Sequence, residues 1–388
     1  MHIGIVSHVS TAQLSSYLYL EGDEPVGTEG ATAPNLLIIE LLKNGHRVSV
    51  FSLTKDLLGN EEYVVNGEYL TIHFGAYQQN IRKSGLSMFY KERQFLKNKI
   101  LEINPDVLHA HWQYEYAWGA LDTGIKTIVT CRDSPVKVLM LFKNIYRLIR
   151  LIMAFIVLKK AKIITATSPY LADELRKFGV KKNIELIPNF EPDWLFEKII
   201  QTKNLNKPMI IMINNGFDNR KNVGNGILAF QLFRKNYPLA ELHLYGNGFD
   251  EKGEGHAWAQ KNSCDENVFF RGYKDFVGLM NDLSKFTMLV HPSKEETFGN
   301  IITESMALGV PVIGGSQSGS IPWVIGKEQT GGILVDINNP LDICSAMMKI
   351  ISSKRDYEEY VNNARSHAFN NFSAQKVVRH YSSLYNNA

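Results

Sequence analysis

The chain has 388 residues, 45% of them hydrophobic, which is more than one hydrophobic core usually holds and points to two domains. Lys and Arg number 42 against 39 Asp and Glu, so no global field draws the protein to nucleic acid, and no nucleic-acid partner is expected. Three widely spaced cysteines, Cys131, Cys264 and Cys344, exclude a disulfide framework or thiolate metal cluster and fit a reducing cytoplasm.

The amino terminus, MHIGIVSHVS, enters an apolar strand with no basic region before it, so no signal peptide is expected. Further strand-like runs follow as HRVSVFS, DVLHAH, KTIVTC and KIITATS. The second half gives PMIIMIN, ELHLYG, NVFFRG, TMLVHPS, VPVIGG and GILVD. Such β-branched runs alternating with helical stretches predict two doubly wound α/β domains, Rossmann-like and facing each other across a cleft. Residues 191 to 208 are polar, carry Pro192 and Pro208, and read as a linker between a first domain of 1–190 and a second of 207–371. In the terminal segment 372–388, the stripe Val377, Val378, Tyr381, Leu384 and Tyr385 predicts a helix packed back on the first domain.

In the first half, TAQLSSYLYLEGDEPV reads as a mobile loop over the cleft. GTEGATAP places Gly27, Gly30 and Ala31 before a helix. The first strand lacks a G-x-G-x-x-G turn, which argues against a nicotinamide-linked dehydrogenase. HAHW sets His109 and His111 at a strand end on one face. No third ligand stands out, so no metal is expected there, and a core role or an acceptor contact both remain open. Trp112 and Tyr114 fit either acceptor stacking or core packing. TIVTCRDSP places Arg132 at the next strand end beside Asp133, suited to an anion or to a salt bridge. Residues 136–165 hold seven basic residues and no acid, with Lys143, Arg147 and Arg150 on one helical face. The longest uncharged run there is far short of the roughly 20 residues that span a bilayer. A membrane-surface helix and packing onto the sheet are both compatible with it.

The second half carries HPSKEETFGNIITESMALGVP, in which Glu296 and Glu304 flank a Phe-Gly turn. The run reads as strand, loop and helix, the helix stopping at Gly309 and Pro311. In a doubly wound sheet such a loop opens into the ligand crevice. Amides of Phe298, Gly299 and Asn300 at a helix amino terminus would suit a phosphate. The two carboxylates could each grip hydroxyls of a ligand, since an ionised carboxylate accepts from both members of a vicinal diol. Alone, the pair reads more readily as solvated surface acids.

The run resembles the E-x7-E signature of the retaining glycosyltransferases of family 4, which carry two facing Rossmann-like domains in the GT-B arrangement. Other pieces occur in that family's order: GATAPNLLIIELLKNGHRVSVF, PDVLHAHW, TATSPYLADELRKFG, IELIPNF, ELHLYGNG, NVFFRGY and GGILVDINNP. The resemblance implies that Glu296 contacts donor-sugar hydroxyls and Glu304 the ribose. It implies further that Thr297, Phe298 and Gly299 hold sugar and phosphates, that Gly246, Asn247 and Gly248 form a second ligand turn, and that Arg271, Gly272 and Tyr273 flank the base. The family's basic pair falls in NNGFDNRKNVGNG, where Lys221 matches the lysine, Phe217 stands where an arginine is usual, and Arg220 is the substitute at hand. Arg132 stands where many members have a histidine, and a guanidinium cannot act as a general base. The implied activity is metal-independent retaining hexosyl transfer, with no cofactor, from a nucleotide-diphosphate sugar to a glycan or lipid-linked acceptor in polysaccharide biosynthesis. It would take place in the cytoplasm, with a peripheral membrane contact through 136–165. Domain closure would align the acceptor. Phe217 and Arg132 leave open an inactive, nucleotide-sugar-binding partner subunit, and the scaffold leaves open a nucleotide-sugar epimerase.

Overall fold

The computed structural model describes residues 1–28, 31–78, 81–326, 328 and 330–386. The chain forms two compact units, one of Met1–Pro188 with Val378–Ala388 and one of Asn189–Val377.

The first unit holds an eight-stranded sheet. Its strands are β1 (His2–Val6), β2 (Arg47–Thr54), β3 (Glu62–Asn66), β4 (Leu70–Ala76), β5 (Val107–His111), β6 (Thr127–Cys131), β7 (Ile163–Ala166) and β8 (Ile184–Leu186), in the order β3-β4-β2-β1-β5-β6-β7-β8. All neighbours are parallel except the edge pair β3 and β4. The central strands are apolar on both faces because helices cover both; β5 and β6 are buried along their whole length. The edge hairpin, YVVNGEYLTIHF, is absent from the strands read from sequence. Its outer strand alternates buried and exposed residues weakly, since only one side of it meets the sheet.

The second unit holds six parallel strands, β9 (Met209–Ile213), β10 (Glu241–Tyr245), β11 (Val268–Gly272), β12 (Met288–His291), β13 (Val312–Gly315) and β14 (Gly332–Val335), in the order β11-β10-β9-β12-β13-β14. Each is among the runs expected from sequence. Ile210, Met212, Val290 and Ile313 pack into one apolar cluster of this sheet, Ile211, Leu289 and Val312 into another.

Two stretches differ from their sequence reading. The segment 191–208 is no free linker but packs on the second unit: Leu195 is fully buried, and the Trp194 and Phe196 rings lie edge-on to Phe276 and Phe369. Apolar residues among the polar ones anchor it. The stretch after β1 is a compact excursion, not an open loop. It contains a short helix, Thr11–Leu14, fastened where Thr11 N donates to Val26 O and Thr28 N to Val9 O. From Val378 on, the terminal Ala374–Asn386 helix belongs to the first unit, where the Tyr385 hydroxyl meets His109 Nδ1 at 2.7 Å.

Candidate functional site

In each unit the strand order reverses once, between β1 and β5 in the first and between β9 and β12 in the second. At such a point the loops after the two strands diverge and leave a crevice beyond their carboxyl ends, where ligands of doubly wound sheets bind.

In the second unit the two loops at the reversal bring Lys221 and Glu296 together, with Lys221 Nζ donating to Glu296 Oε1 at 2.7 Å. Lys221 is set by a tight turn, its N–H donating to Asp218 Oδ1 at 2.8 Å. Glu296 is fixed by Ser320, whose N–H and Oγ both donate to the Glu296 carbonyl while Oγ also reaches the Phe298 carbonyl. His291 Nε2 approaches the same carboxylate oxygen at 3.4 Å, at the margin of hydrogen bonding, so Lys221 is the firmer partner. Burial alone would raise the Glu296 carboxyl; hydrogen bonding from His291 and the charge of Lys221 overcome it and hold the group well below the usual carboxylate range. Glu296 is therefore an anion. Arg220 lies beside Lys221 with Nη2 4.0 Å from Asp218 Oδ2. Phe217, at the place of the family's arginine, turns away into an aromatic cluster with Phe249 and Trp258.

The loop from Glu296 runs into the Asn300–Ala307 helix through Gly299, which has φ 90° and caps the helix in the left-handed region. The left-handed φ is what favours glycine there; a Cβ would also approach Ile321 Cδ1 at 2.9 Å, a side-chain end that can shift. The turns after β9, β10 and β11 are tied together: Gly216 N donates to Asn247 O, and Gly246 N to Gly272 O. Gly246 packs so closely that a Cβ would lie 1.9 Å from Asn214 O. Gly248 follows in the same turn. Asn214 itself is buried, and among the described residues its side chain has no hydrogen-bond partner. Arg271 turns to His243, donating from Nε to Nδ1 at 3.2 Å, and Tyr273 is exposed.

Glu304 is buried one turn inside the helix, and burial pushes its carboxyl up to about 8. It faces a second buried acid that the sequence does not single out. Glu191 is 2% exposed and is raised well above the usual range by burial and by Glu304. Its motif, NFEP, reads from sequence only as the chain leaving the first domain.

In the first unit, His111 and Arg132 meet at the ends of β5 and β6, with Arg132 Nη2 donating to His111 Nδ1 at 2.7 Å. The proton of the His111 ring then sits on Nε2, which is buried and has no hydrogen-bond partner among the described residues. Burial, with His109 and Arg132 nearby, lowers the His111 pKa far below its ordinary value, so the ring is neutral. Asp133, next to Arg132 in sequence, accepts from Tyr114 Oη and Gln113 Nε2, both at 2.7 Å. His109 bonds Thr130 Oγ1 and Tyr385 Oη and stacks on His111. Tyr114 is core, whereas Trp112 lies edge-on to His8, a residue after β1 that no sequence motif marks. Gly30 lies outside the described residues. Arg150, expected on the basic face, turns inward to Glu115 at 2.5 Å and over the Tyr114 ring. Lys143 ends the Pro135–Phe142 helix in the left-handed region, outside the Ile145–Lys160 helix. No cluster of three or more His, Cys, Asp or Glu side chains able to hold a metal occurs among the described residues.

The family model described as Glycosyl transferases group 1 matches residues 196–367, and that described as Glycosyltransferase Family 4 matches 36–190. The chain belongs to the family 4 type of glycosyltransferases. This glycosyltransferase is 24% identical to the N-acetyl-alpha-D-glucosaminyl L-malate synthase of Bacillus anthracis, over 96% of its own length and 95% of that protein's. It is 29% identical to a D-inositol 3-phosphate glycosyltransferase of Corynebacterium kroppenstedtii over 40% of its own length and 35% of the relative's. Its fold matches a sucrose-phosphate synthase from Thermosynechococcus elongatus with a TM-score of 0.78, at 18% identity and over 100% and 98% of the two chains. It also matches Anabaena HepE, solved with UDP and glucose, with a TM-score of 0.69, at 15% identity and over 100% and 99%. The glycosyltransferase thus has the GT-B type of fold, two Rossmann-like α/β domains.

Proposed function

We propose that this glycosyltransferase moves a hexosyl group, with retention of configuration and without a metal ion, from a nucleotide-diphosphate sugar to a glycan or lipid-linked acceptor in cell-surface glycan assembly. The observation that carries this reading is the Lys221–Glu296 pair at the strand-order reversal of the second unit. Lys221, with Arg220 beside it, supplies cationic charge for the departing diphosphate, and such catalysis rests chiefly on stabilising that developing charge. Amides from Thr297 to Asn300 add the helix-terminus field that favours phosphate oxygens. Glu296, already an anion held by Lys221, is placed to accept from sugar hydroxyls, and Glu304 from ribose hydroxyls. In the first unit, Arg132 and the Nε2–H of His111 are donors for an acceptor's oxygens; neither is a base. HepE was solved with UDP and glucose, which puts uridine donors first in any trial.

Incubation with labelled UDP-, ADP- and GDP-sugars in a chelator tests the reading. Slow donor hydrolysis without acceptor, with the anomeric configuration kept by NMR, is expected. Binding without turnover in every case would favour an inactive partner subunit, and conversion of one nucleotide sugar to another an epimerase.

No helix among the described residues is long and apolar enough to cross a membrane. A peripheral site on the cytoplasmic face fits the Pro135–Phe142 and Ile145–Lys160 helices. Met140, Phe142, Ile145 and Phe155 are all more than half exposed there, Lys143 and Lys159 stand among them, and no acidic residue lies between Asp133 and Asp173. The three free cysteines, two of them buried, suit a reducing compartment.

A further inference from the structure

Glu191 stands three residues into the second unit and is held from three directions. Its N–H donates to Phe372 O at 2.8 Å, its backbone pairs with Ser373, and its Oε1 lies 2.5 Å from Thr303 Oγ1. Two residues earlier, Asn189 Nδ2 donates to Asn300 Oδ1 at 2.7 Å. The segment Asn189–Glu191 therefore buttresses the first turn of the Asn300–Ala307 helix through two side-chain contacts, at Asn300 and at Thr303. Thr303 is the residue before Glu304.

The proton count at Thr303 favours a protonated Glu191, against the opposing pull of the Thr303 hydroxyl, which lies within reach of that carboxyl as a donor. A threonine hydroxyl has one proton to give. Thr303 Oγ1 lies 2.8 Å from Asn300 O as well as 2.5 Å from the Glu191 carboxyl. A backbone carbonyl can only accept, so when the hydroxyl proton goes to Asn300 O, the short contact to Glu191 needs a proton from the carboxyl itself. A carboxylic acid donating to Thr303 satisfies all three groups; an ionised carboxylate competes with Asn300 O for the one proton. Among the described residues, Glu304 is the charged group that acts on Glu191, and two buried acids so placed do not both ionise. His367, edge-on to Phe372, is engaged with the Val324 carbonyl.

We propose that Glu191 is a positioning residue for the donor: kept as a neutral acid against Thr303, it sets the helix's first turn and leaves Glu304 as the member of the pair that gives up its proton when ligand hydroxyls meet it. The inference rests on the reading of Glu304 as a donor contact. It makes the acid's hydrogen bond, not its charge, the required feature, so an amide should replace it.

Donor KM and kcat for Glu191→Gln and Glu191→Ala, with binding of UDP, ADP and GDP followed by calorimetry from pH 6 to 9, test this. The Gln variant is expected to keep KM and kcat within about threefold of wild type, because its amide can donate to Thr303. The Ala variant is expected to raise donor KM tenfold or more with a smaller loss in kcat. Wild type and the Gln variant should both release a proton on nucleotide binding near pH 7, and Glu304→Gln should not. Loss of activity in the Gln variant equal to that in the Ala variant, with both folded, would show that Glu191 works as an anion and overturn the inference. If no nucleoside diphosphate binds wild type, the donor-site reading falls instead.

Discussion

Lys221 and Glu296 are 75 residues apart in sequence and 2.7 Å apart in space, joining the turn after β9 to the loop after β12 where the strand order reverses. Lys221 helps hold Glu296 in the ionised form, at the crevice proposed to take the donor diphosphate. Replacing Lys221 by Ala should lower transfer about 100- to 1,000-fold, the usual cost of one charge-stabilising donor. Because Glu296 would then be left without its cation, a modest loss of stability should accompany it. Single-turnover rates with saturating donor, beside thermal melts, check both.

The two acids of the signature bend the pH dependence of stability in opposite directions. Burial raises Glu304 to about 8, so the native state binds a proton that the unfolded chain releases near pH 4 to 5. Its contribution is full below that range and is lost as pH climbs toward 8. Glu296 is lowered, so its contribution is present above the ordinary carboxyl range and is lost in acid. Melting temperatures from pH 3 to 9 should show Glu304→Gln flattening the fall above pH 5 and Glu296→Gln flattening the loss on the acid side. Equal effects from both at pH 8 would contradict these environments.

Gly299→Ala should cost about 1–2 kcal/mol from its left-handed backbone alone, with the 2.9 Å contact to Ile321 adding to it. Since the strained residue is the cap of the helix proposed to face the donor phosphates, donor KM should rise more than kcat falls. Denaturant unfolding and steady-state kinetics on the same variant separate the two effects.

How much of this is legible in the sequence follows from the range of each contact along the chain. The parallel strands announce themselves, because a strand covered on both faces must be apolar along its length, as in TMLVHPS and PMIIMIN. The Glu296 and Glu304 spacing is equally visible, being local to one strand–loop–helix unit. The edge hairpin β3–β4 is not, since a half-exposed strand leaves only a weak alternation. Glu191 is hidden for a different reason: its contact with Thr303 lies 112 residues away. Arg150 belongs, on a helical wheel, to a basic surface; the fold sets it against Glu115, a partner no helical wheel contains.

That last correction divides the basic stretch into residues with different predicted fates. Arg150 is partly buried against the buried Glu115, and Arg150→Met should destabilise the first unit by about 3–5 kcal/mol, because it strands a buried carboxylate. Lys143, Lys159, Met140 and Ile145 are exposed, so changing them should leave the melting temperature within a few degrees. Their expected effect is on lipid. Wild type should cosediment with vesicles containing phosphatidylglycerol and be released by salt, since each basic residue near an anionic surface contributes about 1 kcal/mol. Lys143→Ala and Lys159→Ala should each weaken that binding roughly fivefold, and Met140→Asp with Ile145→Asp should abolish it. If wild type stays in the supernatant with anionic vesicles at low salt, the exposed apolar residues of the two helices serve some contact other than a membrane.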